Sequence, residues 1–287
     1  MAIPSARPKR AILGIDGTGS HSWPDLHQRR SFVKKLVNQI DADSRCYFLG
    51  ATDFASNSDA ILENGFKFLN KQAEMGVEEV ILTGYSRGAA SVTYLAHWIH
   101  IQVAAKRMKM RVPAIILFDS VCRDTRMSGF HDMRTVNSIC ENVIHARRDP
   151  NGYSRPYMSN ASTQRQVNGA KRDLIRETET RFFYASHAGL GGLPWEAAYF
   201  ENLTADKVPL TMKLDEWLNM VKSAQNQILG PLMLEPVWAC RVSLAEDESG
   251  SAEVGRWVWE KLKRLNLLGE SCSPKTFAPP GHAIRTV

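Results

Sequence analysis

Short apolar runs separated by longer stretches with helical periodicity set the pattern of this chain. The runs Ala11–Ile15, Cys46–Leu49, Glu79–Thr83, Ala114–Phe118 and Asn142–His145 read as strands. Between them, His27–Ile40, Asn57–Met75 and Ala89–Met108 repeat apolar residues at three- and four-residue spacing, so each predicts a helix. Strands alternating with helices predict an α/β fold: a mostly parallel sheet with helices on both faces. With 287 residues, 44% of them hydrophobic, the chain can bury one large core, and a single domain over 1–287 is expected.

The pattern changes twice. Between about 150 and 181, Asn, Ser, Gln, Arg and Lys crowd out aliphatic residues, which predicts a surface excursion or flap. The C-terminal part, 195–287, reads as helical over Leu214–Leu229. The lid reading belongs to Trp217–Leu229, whose plain alternative is an ordinary outer helix of the sheet; the chain continues through a charged, small-residue loop at Leu244–Glu253 into an amphipathic helix at Val254–Leu265 and ends in an irregular tail. The helix at Val254–Leu265 puts Val254, Trp257, Val258, Leu262 and Leu265 on one stripe with Arg256, Lys261, Lys263 and Arg264 around it. Such a stripe packs on a core or lies on an anionic lipid surface.

Composition adds limits. No stretch reaches the roughly 18 apolar residues of a membrane span, and the basic start runs directly into Asp16 with no cleavage site, so cytoplasmic synthesis without a signal peptide is expected. Five cysteines without a CxxC pair predict reduced thiols, with neither a disulfide framework nor a metal site. The net charge of +6 is spread along the chain rather than gathered in a tract, and no nucleic-acid motif accompanies it, so nucleic acid is not an expected partner.

The chemistry concentrates in Val80–Ala90, VILTGYSRGAA, where Gly84-Tyr85-Ser86-Arg87-Gly88 lies between a strand and a helix. A turn that sharp strains its central residue and needs glycine two places to either side, and it lifts the Ser86 hydroxyl above the sheet's C-terminal edge. The Arg87 N–H, at the start of the following helix, becomes a candidate oxyanion donor. Three of the five positions are fixed by the motif, which occurs by chance; the strand before it and the helix after it are the context it requires. These features predict the α/β-hydrolase fold.

A serine hydroxyl needs a base, and the base an orienting acid, in the chain order Ser, acid, His. Asp119 ends the next strand, PAIILFDSV, and is the candidate acid, with a strand-end cap as its plain alternative. Asp149, after NVIHARR, is the competing acid, in the place where many proteins of this fold carry theirs. His187, in FFYASHAGLGG, is the candidate base; His145, inside an apolar strand, reads as a buried structural histidine. At the end of the first strand, the turn Gly14-Ile15-Asp16-Gly17-Thr18-Gly19 offers the N–H groups of Gly17 and Thr18 as further oxyanion donors, with Asp16 orienting the turn. It matches neither GxxxxGK[ST] nor GxGxxG, so no nucleotide cofactor is expected.

Taken in order, Asp16-Gly17-Thr18, Gly84 to Ala89, Phe118 to Val121, His145-Ala146 with Asp149 and Arg155, and His187 to Gly192 resemble the motifs of the DUF2235 α/β hydrolases over residues 11–192. That family includes the Tle1-type phospholipase effectors of type VI secretion. The resemblance implies a Ser86–Asp119–His187 triad acting on carboxylic esters, with lipid or phospholipid acyl esters foremost, and requiring neither metal nor organic cofactor. It also implies a membrane surface, an immunity protein or a secretion machine as partners, and delivery by a system that needs no signal peptide. The chain departs from the family at Gly189, where the family carries an aspartate. Two other readings keep the same fold: a binding protein without turnover, and a peptidase or amidase using the same three residues.

Overall fold

In the computed structural model of the chain, residues 8–18, 20, 24–52, 57–121, 135–136, 138–152, 164–165, 177–195 and 241–277 are described. They run β1 (Arg10–Ile15), α1 (Pro24–Arg30), α2 (Phe32–Gln39), β2 (Ser44–Phe48), α3 (Ser58–Glu74), β3 (Glu79–Tyr85) and α4 (Arg87–Ala104). They continue β4 (Ile115–Phe118), β5 (Thr135–Val136), β6 (Asn142–Arg148), β7 (Gln164–Arg165), β8 (Glu177–Phe183), α5 (His187–Leu190) and α6 (Leu244–Arg264). The main sheet has the order β2-β1-β3-β4-β6-β8, and every pair in it is parallel. This is the α/β-hydrolase architecture.

Parallel strands covered on both faces should be apolar throughout, and β3 is buried at all seven positions. The side chains then divide by the two-residue period of a strand. Leu13, Leu82, Ile115 and Leu117 face one core with Leu69 of α3 and Val92, Leu95 and Ile99 of α4. Ile12, Ile81, Ile116 and Phe118 face the other, with Phe32, Val33 and Leu36 of α2 and Val254, Trp257, Val258 and Leu262 of α6. The chain changes direction across the sheet between β1 and β3, because β2 lies on one side of β1 and β3 on the other. A crevice opens at such a switch point, beyond the C-terminal strand ends. Asp16 to Thr18 leave β1 on one side of it and Ser86 leaves β3 on the other.

Two expectations change. The helix predicted over His27–Ile40 is two helices, because Ser31 adopts an extended ψ of 133° and its hydroxyl caps α2 by accepting the Val33 N–H at 3.2 Å. The loop predicted at Leu244–Glu253 is the first half of α6. Its start is a capping box: the Ser243 hydroxyl accepts the Glu246 N–H, and the Glu246 carboxylate accepts the Ser243 N–H at 2.7 Å. Glu246 and Asp247 in the first turn and Lys261, Lys263 and Arg264 in the last complement the helix dipole.

The stripe at Val254–Leu265 takes the first of its two readings, packing on a core. Val254, Trp257, Val258 and Leu262 are buried, and the Trp257 ring lies 5.5 Å from that of Phe183. Lys261 and Arg264 meet Glu179 of β8, Arg264 at 2.6 Å. The stripe is core, and two of its flanking cations bind a carboxylate of the same chain. Of the polar stretch 150–181, Pro150–Gly152 form a 3-10 turn, Gln164–Arg165 pair with Thr135–Val136, and the residues from Glu177 belong to β8. The rest of the expected flap and the candidate lid at Trp217–Leu229 lie outside the described residues. Among those described, no helix is long and apolar enough to cross a membrane.

Candidate active site

Ser86 stands between β3 and α4 with φ 56° and ψ −124°, a conformation that L residues rarely adopt. Close packing holds it there. A Cβ at Gly84 would lie 2.6 Å from the Ala89 backbone, and one at Gly88 would lie 2.2 Å from the Ile15 carbonyl oxygen. The two glycines therefore let α4 fold back over β3 and against the end of β1. Hydrogen bonds fix the turn laterally: Ser86 N–H donates to the Phe118 carbonyl at 3.0 Å, and Val121 N–H donates to the Ser86 carbonyl at 3.1 Å.

The sheet brings the other two residues to the same edge. Asp119 follows β4 with φ 40°, and its N–H donates to the Ala146 carbonyl of β6 at 2.8 Å. His187 opens α5, just beyond β8. Its Nε2 lies 2.9 Å from Ser86 Oγ and its Nδ1 2.6 Å from Asp119 Oδ2. Asp119 is fully buried and His187 is 1% exposed, so both bonds are shielded from water. Burial alone would push the Asp119 carboxyl up. The hydrogen bond from His187 and the charges of Arg148, His187 and His145 outweigh it and hold the carboxyl below its ordinary value. Asp119 is thus an anion aimed at the imidazole.

Asp149, the competing acid, is engaged elsewhere: its carboxylate accepts the Asn151 N–H at 2.8 Å, and its own N–H donates to the Phe183 carbonyl. It caps the turn after β6. His145 is fully buried in β6, where its Nε2 accepts the Ser120 N–H at 3.3 Å. It supports the segment after Asp119 rather than reaching Ser86.

The turn after β1 borders the serine, since a Cβ at Gly17 would stand 3.3 Å from Ser86 Cβ. Gly17 departs from the expectation: its N–H donates to Asp16 Oδ1 at 2.8 Å and is not available to an oxyanion. Thr18 lies one residue further on, with a buried hydroxyl that has no hydrogen-bond partner among the described residues. Asp16 is held by the Tyr47 hydroxyl at 2.6 Å and by His27 Nδ1 at 3.2 Å. Burial would raise its carboxyl, but His27, Tyr47 and Ser31 lower it below the usual value. His27 carries no motif, and its contact with Asp16 joins residues on separate elements.

Asp247 was also invisible to motif reading. From α6 it accepts the Ser186 N–H at 2.6 Å, the Ser186 hydroxyl at 2.6 Å and the Trp195 N–H at 2.7 Å. The Ser186 hydroxyl in turn accepts the Gly189 N–H at 3.0 Å, which caps α5. A Cβ at Gly189 would lie 2.1 Å from Asp247 Oδ1. Gly189 leaves the space that the Asp247 carboxylate occupies, so the loop carrying His187 receives its carboxylate from a distant helix.

Burial pushes the Asp247 carboxyl up to about 6, against the lowering effect of its three donors. A folded-state value above the unfolded one means that the native protein binds the proton more tightly, so stability falls as pH rises from about 4 to about 6. Asp247→Asn should flatten that slope in urea titrations between pH 4 and pH 7. Asp247→Ala, which orphans two buried N–H groups, should cost about 3 kcal/mol near pH 4 and less as pH rises past 6, since it lacks that titration.

No protein-family model and no curated protein sequence matches the chain. Among solved structures it is similar to "the putative cell surface hydrolase from Lactobacillus plantarum WCFS1", with 8% identity and a TM-score of 0.36, over 77% of this chain and 98% of that one.

Proposed function

We propose that the chain is a serine hydrolase that cleaves carboxylic esters through an acyl-enzyme, with Ser86 as nucleophile, His187 as general base and acid, and Asp119 as the orienting carboxylate. The observation that carries this reading is the continuous chain Ser86 Oγ–His187 Nε2–Nδ1–Asp119 Oδ2, at 2.9 and 2.6 Å, behind a strained serine. With Nδ1–H donated to Asp119, Nε2 bears a lone pair toward Ser86 and can take its proton as Oγ attacks the ester carbonyl. The same proton then passes to the leaving alcohol. Water, deprotonated by His187 in turn, releases the acid and restores Ser86.

The negative oxygen of each tetrahedral intermediate would lie at the N-terminus of α4, where the Arg87 N–H belongs to the first turn and the helix dipole favours a negative charge. The Thr18 N–H, on the turn bordering Ser86, is the second donor in this reading. Lipid or phospholipid acyl esters are the substrates we favour, on the resemblance to the DUF2235 hydrolases. The same resemblance supports a membrane surface as the place of action. It also supports cytoplasmic synthesis followed by delivery through a signal-peptide-independent system, with an immunity protein or secretion component as partner.

The test is labelling with a fluorophosphonate, whose fluoride is displaced by an activated serine, followed by mapping of the adduct. Turnover is measured in parallel on short-chain esters, phospholipid vesicles and peptide amides. An adduct on the Ser86 peptide with ester turnover exceeding amide turnover is the expected outcome. A folded protein that neither labels nor hydrolyses any ester would overturn the reading in favour of a binding protein.

A further inference from the structure

Asp119 Oδ2 is shared. Besides the bond from His187 Nδ1, it accepts one from Arg148 Nη1 at 2.9 Å, and Arg148 is 6% exposed. The same Nη1 lies 3.5 Å from His187 Nδ1. When Nδ1 carries the proton it gives to Asp119, both of these nitrogens bear hydrogen, so that contact is not a bond. It places a buried positive charge against the ring that must itself become positive during acyl transfer. Arg148 ends β6, beside the strand that delivers Asp119, so the parallel sheet itself sets this approach.

Among the described residues, other charged or titratable groups also surround the pair. Arg147 and His145 of β6 act on Asp119 through their charge, Asp247 of α6 reaches the imidazole only through Ser186, and the Tyr85 ring of β3 packs on His187 at 5.0 Å. Among the described residues, Arg148 is a cation in contact with both members of the pair.

We propose that Arg148 is a positioning residue that tunes the proposed triad: by sharing Asp119 Oδ2 with His187 and setting a positive charge beside the imidazole, it keeps His187 unprotonated, and so competent as a base, in mildly acidic solution. Two effects act in the same direction. The guanidinium draws off part of the carboxylate charge that would otherwise stabilise the imidazolium, and it repels the imidazolium directly. The bond from Nη1 also fixes Asp119, so that one oxygen faces Nδ1. The inference rests on the reading of Ser86, His187 and Asp119 as catalytic.

The experiment compares wild type, Arg148→Met and Arg148→Lys by the pH dependence of kcat/KM on a short-chain ester, together with the titration of the His187 Cε1–H by NMR and thermal unfolding as a check of folding. Met fills the space without charge, whereas Lys keeps the charge. In Arg148→Met the acid limb of kcat/KM and the His187 titration should both move up by about one pH unit, so that activity at the foot of the limb falls about tenfold relative to the plateau. Arg148→Lys should stay close to wild type in both. If both variants lose activity equally at every pH and His187 titrates unchanged, Arg148 is structural and the inference fails. If wild type shows no ester turnover and no labelling at Ser86, the catalytic reading fails and takes the inference with it.

Discussion

Ser86→Ala and Ser86→Gly should both lose fluorophosphonate labelling entirely and lower ester turnover by about 10^5-fold or more, while differing in stability. The loss follows from the proposed nucleophile: with no Oγ, the bond to His187 Nε2 disappears and the proposed acyl-enzyme cannot form. The difference follows from the backbone. Ser86 sits at φ 56° and ψ −124°, and alanine retains the Cβ that makes this conformation costly. Glycine does not. Ser86→Gly should therefore unfold about 3 °C above Ser86→Ala, as expected for relief of about 1 kcal/mol in a chain of this size. The backbone bonds to Phe118 and Val121 survive in both variants, so differential scanning calorimetry isolates the strain. Retained labelling in either variant would move the nucleophile elsewhere. Equal melting temperatures would mean that the turn relaxes once the hydroxyl is gone.

The elbow was legible because its requirements are local. Gly84 and Gly88 are demanded by atoms within a few residues of the turn and by the end of β1, and the strand and helix beside them show their own periodicity. The alternating apolar runs likewise located β1, β3, β4 and β6, since central parallel strands are apolar on both faces. The start of α6 reads as a loop because LAEDESGSAE is polar and small. Helix formation there depends on the Ser243–Glu246 capping box and on Gly250, where a Cβ would come 2.4 Å from the Tyr184 carbonyl oxygen. The Ser243–Glu246 pair of the cap is nonetheless present in the sequence.

Asp247, His27 and Arg148 were hidden for a different reason. Each acts across the sheet or between elements, on a partner 61, 11 or 29 residues away, and none belongs to a motif. Their roles emerge only when β1, β4, β6 and β8 end at one edge of the same sheet. Gly189 shows the same limit from the other side. As a sequence it is a lost carboxylate, whereas in the fold it is the gap that Asp247 fills.

The choice between two candidate acids has the second largest expected effect. Asp119→Asn should lower kcat by about 10^4-fold, and Asp149→Asn should change it by less than about threefold. An amide nitrogen facing His187 Nδ1 would donate to it rather than accept, which moves the ring proton to Nε2 and removes the lone pair that receives the Ser86 proton. The same substitution removes the counter-charge of buried Arg148, so Asp119→Asn should also cost about 3 kcal/mol of stability. Asp149 differs in both respects: its carboxylate accepts a backbone N–H from Asn151, a contact that an asparagine carbonyl oxygen can make. Activity on a soluble ester and urea unfolding, measured for both variants, separate the two. Large losses of activity and stability in Asp119→Asn, with Asp149→Asn close to wild type, would place the acid after β4. A collapse of activity in Asp149→Asn alone would place it after β6 and require the 2.6 Å contact between Asp119 and His187 to break during turnover.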